Sequence, residues 1–417
     1  MDIFVGMKTY ITRLLEAKLE GLLPHFPAVA ILGARQVGKS TLARHFWPKP
    51  ARMVVFDPVQ DVGNARRDPD FFLQNHPPPL FLDEVQYAPE VLAALKRRVD
   101  QTGRNGDYLL SGSQNLALVK NLAESMAGRI AILTLWPFAR RELVAEVARP
   151  SFLKRWLAAP DAVDLPETPL PPSILPYLWR GMHPRLEPDA PELAVSTYWE
   201  SYLHTYIERD LRSVADIGAL QTFSRFMGLL AAQTSCEING NELGRELGID
   251  RKTAVRWLEI AEATYQWVSV PAFARDPTKQ VSGKRKGYFT DTGFACHLQR
   301  IQGPEVLGCH PLLGRMFETW VVMEMLKAFQ DWAAAPGLFH YRTYNGAEVD
   351  VVLEWNGTLF PVEIKTTSKP GPRDGLGIRS FRSAFPKERV APGLLVCSIE
   401  QPAWITPELF AVPWWLL

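Results

Sequence analysis

Residues 29–32, Val-Ala-Ile-Leu, run into Gly33-Ala34-Arg35-Gln36-Val37-Gly38-Lys39-Ser40-Thr41, and this stretch constrains the fold more than any other. A short apolar run, a glycine-rich loop closing on G-K-S, and a helical pattern through Phe46 together give the strand-loop-helix context of a Walker A motif. Gly33 and Gly38 let backbone N–H groups turn inward around a β-phosphate, Lys39 reaches the β- and γ-phosphates, and the Ser40 hydroxyl is placed to ligate Mg²⁺. The helix start adds partial positive charge. The expected ligand of residues 33–41 is therefore ATP with Mg²⁺.

Four further apolar runs of strand length follow, at 53–56, 80–82, 108–111 and 130–135, with helical patterns between several of them. Five short strands alternating with helices predict a parallel α/β sheet that binds ligands at the carboxyl ends of its strands. A helical pattern over residues 10–23 precedes the first strand. Leu80-Phe-Leu-Asp83-Glu84 has the Walker B form, a buried strand ending in two carboxylates. Asp83 is expected to hold Mg²⁺ and Glu84 to activate the attacking water. Ser113, beyond the next strand, is the candidate γ-phosphate sensor. Arg129, at the head of the fifth strand, is the favoured arginine finger, with Arg140 and Arg141 as alternatives.

At 417 residues the chain exceeds what one core ordinarily organises, and two to four domains are expected. The net charge of +1 advertises no nucleic-acid partner, so any such binding rests on a local patch. The four cysteines lie apart without ligand spacing, which argues against structural zinc and against a disulfide framework. No run approaches eighteen apolar residues and no leader pattern opens the sequence, so a cytoplasmic protein without a membrane segment is expected.

Prolines crowd residues 149–195, which reads as a linker or lid and as the hinge. Residues 239–261 read as helix, Gly248 turn, helix, and resemble the helix-turn-helix of a winged-helix module, with the loop 275–286 as its wing. Arg251, Lys252, Arg256 and that basic loop speak for DNA. Acidic residues outnumber basic ones on the helix pair, and favour a structural or protein-contacting role.

In the last stretch a helix (313–329), three strand-like runs (339–342, 349–355, 359–365), a helix near Ser380 and a strand (394–398) follow one another. This order resembles the core of restriction-endonuclease-like nucleases. Asp350 interrupts an apolar strand, where a lone carboxylate is costly unless paired or metal-bound. Strand alternation puts Glu363 and Lys365 on one face. Asp350 and Glu363 as Mg²⁺ ligands, with Lys365 acting on water, would suit phosphodiester hydrolysis, and Glu318 on the preceding helix would complete the site. The competing reading is a salt bridge between Glu363 and Lys365.

Taken together, Gly33-Ala-Arg-Gln-Val-Gly-Lys39, Phe81-Leu-Asp-Glu-Val-Gln86, Leu110-Ser-Gly-Ser-Gln114, Ala127-Gly-Arg129, Tyr288-Phe-Thr-Asp-Thr-Gly293, Glu348-Val-Asp350 and Glu363-Ile-Lys365 resemble a known family. It is that of the prokaryotic AAA-type ATPases with a C-terminal domain of unknown function ending in a restriction-endonuclease-like fold. The resemblance implies an AAA-type P-loop domain at 1–148, the linker at 149–195, a helical and winged-helix region at 196–302, and a nuclease-like α/β domain at 303–417. It implies ATP hydrolysis coupled to DNA or RNA remodelling or cleavage, or else a nucleotide-operated switch that recruits a protein partner; a homo-oligomer is expected if Arg129 is a finger supplied by a neighbouring subunit.

Overall fold

A computed structural model describes residues 10–47, 52–112, 125–160, 171, 173–206, 220–276, 280 and 283–417. The chain divides into two compact units, Met1–Arg149 and Pro150–Leu417.

The first unit is built on five strands, β1 (Ala28–Leu32), β2 (Arg52–Val55), β3 (Leu80–Asp83), β4 (Tyr108–Gly112) and β5 (Ile130–Thr134). They pair in the order β2-β3-β4-β1-β5, every pair parallel. The parallel five-stranded sheet expected from the sequence is thus present, with strand ends shifted by a residue or two. The three inner strands are buried along their whole length, as the uninterrupted apolar runs of β1 and β4 require in a sheet covered on both faces. Helices α1 (Leu15–Leu22), α2 (Lys39–Phe46), α3 (Pro69–Asn75), α4 (Glu90–Thr102) and α5 (Arg140–Leu143) belong to this unit. Helix α3 starts where its sequence says it should, with the Asp68 side chain accepting from Phe71 N at 3.0 Å and Pro69 in the first turn.

The second unit begins with α6 (Phe152–Ala158), α7 (Leu175–Arg180) and α8 (Glu192–Thr205). The described part of the proline-rich stretch is no free linker. Phe152, Leu153, Trp156, Leu178 and Trp179 enter one apolar core that continues to Leu417, because short helices between the prolines still present an apolar face. This core takes residues from either side of the boundaries expected at 195/196 and 302/303. Next come α9 (Leu220–Ala232), β6 (Cys236–Glu237), α10 (Gly240–Leu247), α11 (Arg251–Ala263), β7 (Trp267–Val270) and β8 (Lys286–Phe289). The strands form an antiparallel sheet in the order β6-β8-β7. Gly248 closes α10 in the left-handed conformation (φ +68°), and Asp250 caps α11 by accepting from Thr253 N at 3.0 Å.

Helices α12 (Thr292–Leu298), α13 (Pro304–Gly308) and α14 (Leu313–Ala328) lead to the last sheet. It comprises β9 (Gly337–Arg342), β10 (Glu348–Trp355), β11 (Thr358–Ile364), β12 (Arg389–Val390), β13 (Gly393–Cys397), β14 (Ala403–Thr406) and β15 (Leu409–Pro413), with α15 (Leu376–Ala384) between β11 and β12. The order is β14-β15-β13-β11-β10-β9, with β12 also pairing β11. Strands β9 to β11 form an antiparallel meander, and β13 joins β11 in parallel. Helix α14 is buried nearly all round, so its apolar residues serve the core on several sides. Asp291, in the Tyr288 to Gly293 motif, has a structural task. Its buried carboxylate caps α12 through Gly293 N (2.8 Å) and accepts from Met182 N (2.8 Å).

Candidate functional site

Strands β1 and β3 end on the same edge of the first sheet, separated by β4, and their carboxyl ends carry the two Walker elements. The loop after β1 needs its glycines. Gly33 has φ +153°, and a Cβ there would lie 2.3 Å from the Leu135 carbonyl oxygen, while Gly38 has φ +96° at the start of α2. Lys39 is buried and its Nζ donates to the carbonyls of Gly33 (3.0 Å) and Ala34 (2.7 Å), along the loop that would cradle phosphates. Ser40 sits half-buried in the first turn of α2. Asp83 ends β3, is 4% exposed, and accepts from the Ser111 hydroxyl and from Glu84 N at 3.1 Å. Glu84 takes up a left-handed backbone conformation (φ 56°), with its carboxylate accepting from Gln86 Nε2. A serine hydroxyl and a carboxylate are hard oxygen donors, and together with the glycine-built loop they fit Mg²⁺-nucleotide. When bound, Mg²⁺ would supply charge neutralisation on the phosphates, and Glu84 is the remaining carboxylate able to take a proton from water.

Two contributors to this edge lie outside the Walker elements. Ser111, fully buried on β4, holds Asp83, whereas the sensor candidate Ser113 lies outside the described residues. Arg13, ahead of α1, donates from one guanidinium nitrogen to the Val37 carbonyl of the phosphate loop (2.8 Å) and from another to the Trp136 carbonyl (2.7 Å). Its Nε faces Glu142 Oε1 at 3.1 Å, and both side chains are at most 3% exposed. Glu142 in turn accepts from Leu14 N (2.7 Å) and Ala139 N (2.9 Å). This buried pair fastens the phosphate loop to the segment after β5. An arginine 24 residues before its loop partner and 129 before its carboxylate carries no local sequence signal.

The arginine candidates separate. Arg129 lies at the surface in a two-nitrogen pair with Asp100, Nη2 to Oδ2 at 3.1 Å. Arg140 and Arg141 are buried in α5, and Arg141 donates to the Glu146 carbonyl at 2.8 Å, so neither is presented to another molecule.

In the second unit the structure brings Asp350, Glu363, Lys365 and Glu318 together, and adds Lys286, from the end of the expected basic loop, and Glu348, from the Glu348-Val-Asp350 motif, neither of them a candidate ligand. Lys365 Nζ lies 3.2 Å from Glu363 Oε2 and 3.6 Å from Asp350 Oδ2. Ile364 N donates to Asp350 Oδ2 at 2.9 Å. Lys286 on β8 is buried, with Nζ at 2.7 Å from Glu318 Oε1, 2.9 Å from Glu348 Oε1 and 3.4 Å from Asp350 Oδ1. Tyr288, two residues on, donates to Glu318 Oε1 at 2.9 Å. Burial would raise Asp350, but Lys286 and Lys365 outweigh it and hold the carboxyl below its usual range. Burial and the Asp350 charge push Glu363 up to about 9, and burial with Asp350 pushes Glu318 up to about 7. A cavity of about 350 Å³ opens here, lined by Glu348, Asp350, Glu363, Lys365, Arg373 and Asp374. Helix α15 can close on it only because Gly377 has no Cβ, which would meet the Glu348 carbonyl and the Glu363 carboxyl. As a Mg²⁺ site the set does not fit. Lys286 already lies among the carboxylates, Lys365 lies against Glu363 and Asp350, and no group of three or more His, Cys, Asp or Glu among the described residues is arranged to hold a metal.

In the described part of the basic loop 275–286, two cations lie near carboxylates of the chain. Arg275 pairs with Glu354 (3.4 Å) and Glu388, Lys284 lies 3.8 Å from Glu237, and Phe273 packs with Tyr341 and Phe381 against the last sheet. Lys286 is not in the loop at all but in β8. Arg251, Lys252 and Arg256 are exposed on α11 as expected. No helix among the described residues is long and apolar enough to cross a membrane.

Comparisons with known proteins agree with this geometry. Residues 25–144 match the family model of an AAA domain, and residues 172–305 and 313–417 match two models each described as a domain of unknown function (DUF8612 and DUF4143). Uncharacterized proteins of Mycobacterium tuberculosis and Mycobacterium bovis are each 29% identical over 399 residues, covering 95% of this chain and 82% of the relative. Among solved structures, a Walker-type ATPase of Pyrococcus abyssi is 17% identical with a TM-score of 0.47, covering 70% of this chain and 96% of that one. The Thermotoga maritima RuvB Holliday junction branch migration motor is 16% identical with a TM-score of 0.27, covering 64% and 91%. Scores below 0.5 support no inference of function. The family models and the strand-end geometry concur: this chain carries an AAA-type P-loop ATPase domain ahead of two domains of unknown function.

Proposed function

We propose that the chain is a Mg²⁺-dependent ATP hydrolase whose turnover switches the 150–417 unit as a recruiter of a protein partner. The observation that supports hydrolysis is the shared edge, where β1 and β3, on either side of β4, lead at their carboxyl ends into Lys39 and Ser40 and into Asp83 and Glu84. Lys39 and the loop 33–41 bind the phosphates, Ser40 and Asp83 hold Mg²⁺, and Glu84 takes the proton of the attacking water. Purified protein should release phosphate from ATP with Mg²⁺ and stop when EDTA removes it. Phosphate release unaffected by EDTA would refute the Mg²⁺ dependence.

For the second unit, the order α9, β6, α10, α11, β7, β8 supports a winged helix, and α14, β9 to β11, α15, β13 supports a restriction-endonuclease-like fold. Partner recruitment is favoured because two of the described basic residues of the loop, Arg275 and Lys284, lie against Glu354, Glu388 and Glu237 of the same chain. Nucleic acid is a second reading, favoured by the exposed Arg251, Lys252 and Arg256. Under it, replacing Arg251 and Lys252 by Ala weakens duplex binding and flattens its salt dependence by about one unit of slope per lost phosphate contact, read by fluorescence anisotropy.

A homo-oligomer follows if Arg129 serves a neighbouring subunit, exchanging Asp100 for a γ-phosphate. Arg129→Ala then lowers turnover by on the order of 10³ without weakening ATP binding. Mixing it with Lys39→Ala protein restores part of the rate, since each brings the group that the other lacks. A specific rate independent of protein concentration, with no gain on mixing, counts against a shared site.

A further inference from the structure

We infer that Lys286 is the resident cation of the carboxylate cluster in the second unit, standing where a divalent ion would otherwise be held. The inference is independent of the ATPase reading.

An ammonium has three N–H donors, and Lys286 meets three carboxylates with them, Glu318 at 2.7 Å, Glu348 at 2.9 Å and Asp350 at 3.4 Å. These partners come from two elements, Glu318 from α14 and both Glu348 and Asp350 from the start of β10, so the ammonium sits among them as a bound ion would. It is not a surface lysine passing by, because its side chain is 4% exposed, and a lysine so far from water stays charged only in such company. Strand geometry fixes it there. Lys286 pairs with Val270 and Glu237 in the three-stranded sheet, and the period of two puts Tyr288 on the same face, where it donates to the same Glu318 oxygen.

Further oxygens of the cluster are also engaged. Asp350 Oδ2 accepts from Ile364 N and faces Lys365, Glu363 Oε2 faces Lys365, and Glu348 Oε2 lies 3.9 Å from Arg342. A Mg²⁺ ion demands near-octahedral oxygens at about 2.0–2.1 Å. Here it would have to displace one ammonium and approach a second. The cluster is instead an ionic latch, fastening the sheet that follows the helix-turn-helix to the edge of β10, and metal-assisted cleavage is not what these carboxylates serve.

The test is Mn²⁺ binding to the nucleotide-free full chain, followed by electron paramagnetic resonance and compared between variants so that ions bound elsewhere cancel. Wild-type protein and Asp350→Asn should bind the same number of Mn²⁺ ions. Lys286→Met should gain one site, at least tenfold tighter than any wild-type site, and Lys286→Met with Asp350→Asn should lose it. A wild-type Mn²⁺ site that disappears in Asp350→Asn overturns the inference, as does a folded Lys286→Met protein that gains none. Should Lys286→Met fail to fold, recovery of its melting transition on adding Mn²⁺, or on adding Asp350→Asn, supports the latch, and recovery by neither overturns it.

Discussion

Glu84→Gln protein binds ATP as the wild type does and turns it over on the order of 10²–10⁴ more slowly, because a positioned general base is what the amide cannot replace. Lys39→Ala behaves in the opposite way. The ammonium is buried within a loop built largely of backbone dipoles, so its removal costs about 2–5 kcal/mol of binding, equivalent to roughly 30-fold to several thousand-fold in Kd. Calorimetry for binding and phosphate release for turnover separate the two. Normal affinity in Lys39→Ala, or wild-type turnover in Glu84→Gln, would show that the roles are misassigned.

Arg13→Ala is expected to be the most damaging single change outside the motifs. It strands Glu142, whose side chain is 1% exposed, without its cation, and removes both donors from the Val37 and Trp136 carbonyls. Breaking one partner out of a buried pair costs about 3–5 kcal/mol. The loss also frees the phosphate loop from the β5 segment, so the KM for ATP should rise even in whatever fraction remains folded. Arg13→Lys keeps the charge but cannot reach Glu142 and both carbonyls at once, and should recover stability only in part. Urea denaturation and ATP titration of the same preparations check this, and an Arg13→Ala protein with wild-type unfolding midpoint and KM would refute the clamp.

The contrast between these two predictions marks a division in how the molecule is specified. Lys39, Ser40, Asp83 and Glu84 were legible because their chemistry is local: a glycine-rich loop between a strand and a helix, and two carboxylates at a strand end, are patterns within ten residues. The five strands of the first sheet were legible for the same reason, being apolar runs bounded by turns. In the second unit Asp350, Glu363 and Lys365 could be placed near one another from strand alternation alone, since 363 and 365 share a face and a carboxylate in an apolar strand needs a partner. Strands β14 and β15 were not foreseen, because a Pro-flanked run of four or five residues carries too little period to read.

By itself, then, the sequence determined the nucleotide loop, its carboxylates and the parallel sheet that presents them, because those depend on neighbours along the chain. Only the tertiary structure decided what stands behind them and what fills the second cluster. Ser111 reaches Asp83 across 28 residues, Arg13 reaches Trp136 across 123, and Lys286 reaches Glu348 across 62. No local pattern marks a charged residue whose partner lies so far away. A lysine in a basic loop and a lysine at the head of a buried strand look alike in sequence, and burial against Glu318, Glu348 and Asp350 is what separates them.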